Sequence, residues 1–284
     1  MNKLFKLTLG FLLLFTTSVY AFVPPTAEFT ADSSDVLLLH MNGTDASTTI
    51  PDDSTATNKG NATVTGNAQL DTAIKKLGSA SLLLDVEGDY ISYADHVDYE
   101  FTADFTIEWF FYLTNTTPDV SRVILSKGNY ASGEYTFFLY PGATPSAFVC
   151  DFSPGAGDEY TNFPSSLSAA TWYHLAITRG GSTMNVYLDG TSVKTFTNSN
   201  TFGDNALELR IGAWSTGAAT ARFDGQIDEF RMSKGINRYP TTSGKQFIMI
   251  TKFINNLNPD KVGTPAWSCK IKLMCWWKNI TWKG

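Results

Sequence analysis

The sequence predicts an all-β protein, an antiparallel jelly-roll sandwich of two sheets. Most of the chain consists of short alternating or β-rich runs, and clusters of Gly, Asn, Asp, Ser and Pro separate them as turns do. No helical period is sustained over about ten residues. Many short strands without helices between them are typical of antiparallel sandwiches and barrels.

The clearest strands form a predicted meander at 171–196, "TWYHLAITRGGSTMNVYLDGTSVKTF". Its Gly-Gly (180–181) and Asp-Gly (189–190) pairs can supply the positive φ that tight antiparallel connections need. The other predicted strands, in chain order, are 35–40, 80–85, 89–94, 105–113, 121–128, 134–140, 146–152, 206–214 and 223–233.

The residue pattern of the first strand of the meander indicates that both of its faces are covered. Side chains alternate along a strand, so Trp172, His174 and Ala176 share one face. The opposite face, with Tyr173, Leu175 and Ile177, is also largely apolar. We therefore expect a central strand with one face in the core and the other beneath loops or in a groove.

The first 21 residues have the layout of a signal peptide. Lys3 and Lys6 precede an apolar run, and a small-residue site ends at Ala21. The apolar run is shorter than the roughly 20 residues of a membrane-spanning helix. We therefore expect a protein that is secreted or held at the cell surface or in the periplasm, with no integral membrane span after cleavage. Residues 22–34, "FVPPTAEFTADSS", are predicted to be a linker.

Charge divides the rest of the chain. Residues 22–244 contain 12 Lys and Arg against 26 Asp and Glu, whereas residues 245–284 contain seven Lys and one Asp. Nucleic-acid binding needs a basic surface, so the acidic body argues against it. The basic tail at 244–284, with its Trp and Cys residues, is interpreted either as a surface-binding tail or as a poorly ordered extension.

The residues of a glycoside hydrolase are not apparent. Its two carboxylates must lie on one face at the separation that catalysis requires. In "GQIDEF", Gln226 stands where a first Glu would be, and the adjacent Asp228 and Glu229 point to opposite faces. Glu108 is alone among apolar neighbours. The sequence therefore predicts a protein that is not an enzyme.

The three histidines are also predicted to be structural. His40, His96 and His174 have no nucleophile elbow to serve, and no His or Cys spacing typical of zinc sites is present. His174 is predicted to be a hydrogen-bonded histidine within a sheet.

Five stretches together resemble a known family. They are 35–95, from "DVLLLHMNGTD" to "GDYISYAD", then "DFTIEWFFYL", "TWYHLAITRGGSTMNVYLDGTSV", "LELRIGAW" and "FDGQIDEFRMSKGINRYP". In this order they resemble the laminin G-like, concanavalin A-like lectin/glucanase jelly rolls. The resemblance implies that a single domain of this kind spans 35–243.

The resemblance also implies a structural calcium. Relatives often bind Ca²⁺ between an early acidic loop and the Asp of the last "IDE" strand, which here correspond to Asp52 or Asp53 and to Asp228. Ca²⁺ prefers such carboxylate and carbonyl oxygens. The alternative, that these are solvated acidic turns, stays open.

Sugar binding would use exposed aromatic side chains. Trp214 begins a Gly/Ala/Thr-rich loop, and Tyr130 and Tyr160 also lie in predicted loops, so these three are the candidate ligand contacts. Trp109 and Trp172 lie within strands and are predicted to belong to the core.

The favoured interpretation is an exported, non-catalytic recognition or adhesion domain. It would bind a glycan or a cell-surface protein through its loops, as laminin G-like modules do. Two alternatives remain, namely a glucanase-like glycoside hydrolase and a structural subunit of a surface or particle assembly. Fold alone does not decide among them.

Overall fold

The structure, a computed structural model, describes residues 21–56, 61–114, 123–129, 134–141, 147–151, 160–164, 167–199, 202, 205–214 and 223–239, with the backbone alone at 129, 134–141, 147–151 and 160–164. All of these residues belong to the first of two compact units, Met1–Thr241. The predicted signal peptide, apart from Ala21, and the 244–284 tail lie outside them. No helix in this described part is long and apolar enough to cross a membrane.

Fifteen strands and one 3₁₀ turn, Val97–Tyr99, make up the described part of the chain. The strands are β1 Asp35–Leu39, β2 Thr63–Thr65, β3 Gln69–Asp71, β4 Ser81–Leu84, β5 Tyr90–Tyr93, β6 Phe105–Leu113, β7 Leu125–Asn129, β8 Glu134–Pro141, β9 Ala147–Asp151, β10 Tyr160–Pro164, β11 Trp172–Gly180, β12 Thr183–Leu188, β13 Thr191–Thr197, β14 Leu209–Ile211 and β15 Gly225–Lys234.

The strands form two antiparallel sheets, and this confirms the predicted all-β sandwich. Sheet A has the order β13-β12-β11-β6-β15-β4-β3, and β1 also pairs with β15. Sheet B has the order β10-β9-β8-β7-β14-β5-β2. The meander is β11-β12-β13, with Gly181, Asp189 and Gly190 at positive φ in its two turns.

The main core contains side chains of both sheets. Alternate residues of β6 point into it, and Trp109 is wholly buried there against Phe230 of β15. Among the sheet B strands whose side chains are described, β5, β7 and β14 contribute buried residues to it. The core position predicted for Trp109 is thus confirmed.

The face of sheet A that points away from this core is also largely buried, as the apolar pattern of β11 predicts. Residues 22–31, which we call the N-terminal segment, lie against it. The ring of Phe22 stacks on that of Tyr239 with centroids 3.7 Å apart, and it meets the rings of His174 and Tyr187 edge-on. Its backbone N–H donates to the carbonyl of Gly190 at 2.8 Å.

Phe29 anchors the other end of the N-terminal segment. Its side chain is buried in a small second cluster with Leu38 and Phe110, and the guanidinium of Arg231 lies 4.0 Å from its ring centroid. Its backbone N–H donates to a carboxylate oxygen of Glu229 at 2.8 Å. Residues predicted to form a linker therefore contribute to the packing of sheet A.

Gly190 offers a way to test this packing. A Cβ at Gly190 would overlap the carbonyl oxygen of Phe22, whereas a Cβ at Gly181 meets no atom within 4 Å. Both glycines have positive φ, so Gly→Ala costs about 1–2 kcal/mol in backbone strain at either position. Gly190→Ala also displaces Phe22, and losing the packing of this partly buried side chain adds about 1 kcal/mol.

We therefore expect urea denaturation to show that Gly190→Ala destabilises the folded protein more than Gly181→Ala does, by about 1 kcal/mol. Hydrogen exchange of the N-terminal segment should rise in Gly190→Ala alone. Equal stabilities for the two variants would show that the segment contributes nothing to the folded domain.

Candidate functional site

The outer face of sheet A, which we define as the face turned away from the main core, presents a row of three side chains at one end. Trp172 of β11 pairs with Tyr112 of β6, which pairs in turn with Gln226 of β15, so their side chains share this face. The Trp172 and Tyr112 rings lie 5.6 Å apart and are partly exposed. Gln226 is 3% exposed.

The Oε1 atom of Gln226 has no hydrogen-bond partner within the part of the chain that the structure describes. An unpaired buried amide oxygen costs free energy, and such groups are rare in native proteins unless water or a ligand satisfies them. An aromatic pair beside a polar group of this kind is a usual composition for a ligand-binding surface. We call Trp172, Tyr112 and Gln226 the aromatic row.

A second row lies directly beside the first. His174, Phe110 and Asp228 pair across the same three strands, and all three are buried. The Oδ1 atom of Asp228 and the Nδ1 atom of His174 also lack partners among the described residues. The Nζ of Lys76 lies 5.3 Å from the centroid of the Phe110 ring.

Glu108, two residues before Phe110 on the same face of β6, lies at the centre of a buried polar network. One of its oxygens accepts from Arg231 Nε at 2.9 Å and Nη2 at 2.5 Å. The other accepts from the hydroxyl of Tyr239 at 2.6 Å and lies 3.2 Å from His174 Nε2. The prediction that His174 is a bonded sheet histidine is therefore confirmed at Nε2.

The charge state of Glu108 follows from these contacts. Burial alone would raise the pKa of this carboxyl group. The hydrogen bond with His174 and the charge of Arg231 outweigh burial and hold the pKa below its ordinary value. Glu108 is therefore an anion whose hydrogen-bonding capacity is used within the protein, which suits a structural role.

The pKa of Asp228 is shifted in the opposite direction. Burial raises the pKa of its carboxyl group to about 7, although the backbone N–H groups of Leu77 and Lys76 act against the rise. Those two N–H groups donate to Oδ2 at 2.9 and 2.7 Å. Near neutral pH this carboxyl group therefore exists in both protonation states.

A third group lies where β1 ends. Glu28, His40 and Glu229 each bring one possible ligand atom to within 4.8 Å of the others. His40 Nδ1 is 2.9 and 3.0 Å from the two carboxylate oxygens of Glu229. The hydrogen bond to Glu229 raises the pKa of His40, although burial opposes the rise.

The residues predicted to bind calcium do not form such a group. Asp52 Oδ1 accepts the N–H groups of Leu38 and Ser54 at 3.0 and 2.9 Å, and Asp53 is exposed. Asp228 is held by the loop of Lys76, as described above. Calcium remains a prediction for this protein, and no step below depends on it.

Of the predicted ligand aromatics, Trp214 lies directly after β14 of sheet B and is not part of the aromatic row. It is partly buried, and its carbonyl oxygen accepts from Arg210 Nη1 at 2.6 Å. Tyr160 begins β10, so the loop predicted for it is wrong, and only its backbone is described; Tyr130 lies outside the described residues. These three remain predictions.

The core position predicted for Trp172 is wrong. This side chain lies on the outer face, partly exposed, and packs against the small cluster that includes Phe29. The alternation of Trp172 and Tyr173 along the strand did indicate that both faces are covered. Which residues lie beside Trp172, however, depends on the order of the strands in the sheet, and the sequence pattern does not give that order. The polar residue in "GQIDEF" was the signal in the sequence for this end of the site.

The Glu108 network predicts a specific loss of stability. Glu108→Gln leaves the Arg231 guanidinium buried without a counter-charge, and breaking a buried pair in this way costs about 3–5 kcal/mol. Because the pKa of Glu108 is lower in the folded state than in the unfolded state, its ionised form stabilises the folded protein. This contribution to the free energy of unfolding is complete above the unfolded-state pKa, and it is lost as pH falls through the folded-state pKa.

Urea denaturation at pH 7 should therefore separate wild type from Glu108→Gln by about 3–5 kcal/mol, and the gap should narrow below the ordinary pKa of 4.5. The matched control is Glu208→Gln, which removes a partly exposed ion pair with Arg210 and should cost less than about 1 kcal/mol. A Glu108→Gln cost no larger than that of the control would contradict the network.

Comparison with known proteins supports the same architecture. The family model of the concanavalin A-like lectin/glucanases superfamily, Laminin_G_3, matches residues 85–236. No curated protein sequence is significantly similar to the chain.

Two solved structures illustrate the likeness. The binding domain of Paraclostridial Mosquitocidal Protein 1 is 15% identical with a TM-score of 0.52, over 72% of this chain and 50% of that one. The botulinum neurotoxin serotype D binding domain is 16% identical with a TM-score of 0.51, over 72% of this chain and 49% of that one. The chain thus matches about half of each solved chain, and at this identity the likeness concerns the fold. With two antiparallel sheets and a family match over more than half its length, the protein belongs to the concanavalin A-like lectin/glucanase superfamily.

Proposed function

We propose that this protein is an exported, non-catalytic recognition domain that binds a glycan on the aromatic row of sheet A. The observation that carries the proposal is the arrangement of Trp172, Tyr112 and Gln226 across three adjacent strands. Aromatic rings offer apolar faces to a sugar ring, and a neighbouring amide oxygen can accept from a sugar hydroxyl. Export rests on the leader pattern of the first 21 residues.

The polar atoms beneath the row favour a polyhydroxylated ligand over an apolar one. Gln226 Oε1 has no partner among the described residues, although its residue is almost wholly buried. A purely apolar ligand would leave this oxygen unsatisfied. A hydroxyl donor would supply its hydrogen bond once the Gln226 side chain rotates outwards, which it must do because the oxygen is buried in the free protein. The names of the two similar binding domains are consistent with a binding role, although the likeness itself is one of fold.

Glu108 argues against catalysis on this face. Its two oxygens are occupied by Arg231, His174 and Tyr239, and its side chain is not exposed. A catalytic carboxylate must reach the substrate or its attacking water. The network would have to break before Glu108 could act on a glycan.

A glycan array tests the proposal with the full-length chain. We expect wild type to bind at least one glycan class, and Trp172→Ala to weaken that binding at least tenfold, which corresponds to about 1.4 kcal/mol. Trp214→Ala is the matched control and should bind as wild type does. Circular dichroism and melting curves establish that each variant is folded.

A folded wild-type protein that binds no glycan would contradict the proposal. A loss of binding in Trp214→Ala with none in Trp172→Ala would move the site to the loops, where the sequence-based prediction placed it.

One observation favours a glycoside hydrolase as the second candidate. Asp228 and Glu108 lie on the same face of adjacent strands, and their pKa values are shifted in opposite directions. Two nearby carboxyl groups whose pKa values are shifted apart in this way are typical of the general acid and its partner carboxylate in hydrolases. Both side chains are, however, fully buried.

Incubation with each glycan that the protein binds distinguishes the two candidates. The recognition proposal predicts no release of reducing ends by wild type or by Asp228→Asn. Release by wild type that Asp228→Asn abolishes would establish the hydrolase.

A further inference from the structure

We propose that Glu28, His40 and Glu229 form a binding site for a divalent first-row transition-metal ion. The three residues come from separate parts of the chain, namely the N-terminal segment, the residue after β1, and β15. Their nearest ligand atoms all lie within 4.8 Å of one another. The site does not involve the aromatic row, and the proposal is independent of glycan binding.

The spacing suits a small ion. Zinc binds His nitrogen and carboxylate oxygen at about 2.0–2.2 Å, so tetrahedral ligand atoms lie about 3.4 Å apart. His40 Nδ1 lies 2.9 and 3.0 Å from the two oxygens of Glu229, which is hydrogen-bond distance, so a bound ion would replace this hydrogen bond and separate the ligand atoms slightly. Glu28, which is exposed, has to approach by a side-chain rotation.

The local charge also favours a cation. The carboxylate groups of Glu28 and Glu229 each bring an oxygen to within 4.8 Å of a His40 ring nitrogen. Glu229 is fully buried, and a buried carboxylate is costly unless it is compensated. A divalent ion would supply the compensation that one imidazole cannot.

The surrounding structure holds the Glu229 carboxylate in place. A β-bulge between Asp228 and Arg231 adds a residue to β15, and Glu229 within it has a left-handed φ of 49°. Its Oε2 also accepts the N–H of Phe29 at 2.8 Å. Such contacts to ligating groups are typical of metal sites, because they orient the ligands.

Asn42 has the same effect on Glu28. Its amide nitrogen donates to Glu28 Oε1, and its amide oxygen accepts the N–H of Ser79 at 2.5 Å and the hydroxyl of Ser79 at 3.0 Å. Asn42 thus restricts the exposed Glu28 side chain, and Glu28 would have to rotate to reach a bound ion.

The ligand types point to a transition metal instead of calcium. Ca²⁺ takes six to eight oxygen ligands, whereas imidazole nitrogen suits Zn²⁺, Cu²⁺, Fe²⁺ and Ni²⁺. A bound ion would join the N-terminal segment to β15, since Glu28 belongs to the first and Glu229 to the second. Metal binding should therefore stabilise the folded domain.

The test uses the metal-stripped, full-length chain with Zn²⁺ as the probe. Calorimetry should show Zn²⁺ binding to wild type, and saturating Zn²⁺ should raise its melting temperature by about 5 °C. Glu28→Gln keeps an oxygen for Asn42 but removes the charge, and we expect its Zn²⁺ affinity to fall at least tenfold. Glu87→Gln, at another exposed Glu, is the matched control and should bind as wild type does.

Nuclear magnetic resonance of the imidazole nitrogens separates this site from any other Zn²⁺ site on the chain, such as one at Cys269 and Cys275. The chain has three histidines, so single substitutions assign their signals. Zn²⁺ should shift the ring signals of His40, and His40→Gln should remove both that response and the melting-temperature rise.

Unchanged His40 signals at saturating Zn²⁺ would overturn the proposal. So would equal Zn²⁺ affinities for Glu28→Gln and wild type, a result that does not depend on whether His40→Gln folds. A response of His40 to Ca²⁺ but not to Zn²⁺ would overturn the assignment to a transition metal.

Discussion

The buried carboxylate of Glu108 is the constraint on which the outer face of sheet A depends. Arg231 of the neighbouring strand compensates its charge, and Tyr239 and His174 occupy its second oxygen. Burying these groups requires a cover, which Phe22 provides by packing on Tyr239 and His174. One mid-strand acid therefore explains why the N-terminal segment is part of the domain.

This arrangement divides the outer face between a buried polar network and the proposed recognition site. Around Glu108 the carboxylate, Arg231 and Tyr239 pair with one another beneath the N-terminal segment and stabilise the fold. At the other end, Trp172 and Tyr112 are partly exposed beside Gln226, whose Oε1 lacks a partner among the described residues. A face with this composition needs no bond-breaking groups to be functional. Its two ends differ in composition: the Glu108 network is buried at one end, and the aromatic row is partly exposed at the other.

Alternation and turn chemistry were sufficient to predict twelve of the fifteen described strands, their meander and the two-sheet class, because these depend on neighbours in the chain. The three-residue strands β2 and β3, and β10, were not predicted. The contacts of the site depend on strand order: Glu108 meets Arg231 across 123 positions, and His40 meets Glu229 across 189. The Pro-Pro pair at 24–25 led to the prediction of a linker. The packing of these residues on sheet A could not be predicted, because their packing partners are distant in sequence. An acid in the doubly apolar run "FTIEWFF" was the available signal that a buried cation would be needed.

In the proposed function, recognition occurs on the aromatic row and the domain leaves its ligand intact. The most direct measurement is a nuclear magnetic resonance titration with a glycan from the array, followed at the indole N–H signals of the seven Trp residues. Our account predicts that the Trp172 signal shifts while those of Trp109 and Trp214 stay in place, and that the glycan is recovered unchanged. A shift at Trp214 with Trp172 unmoved, or cleavage of the glycan, would contradict it.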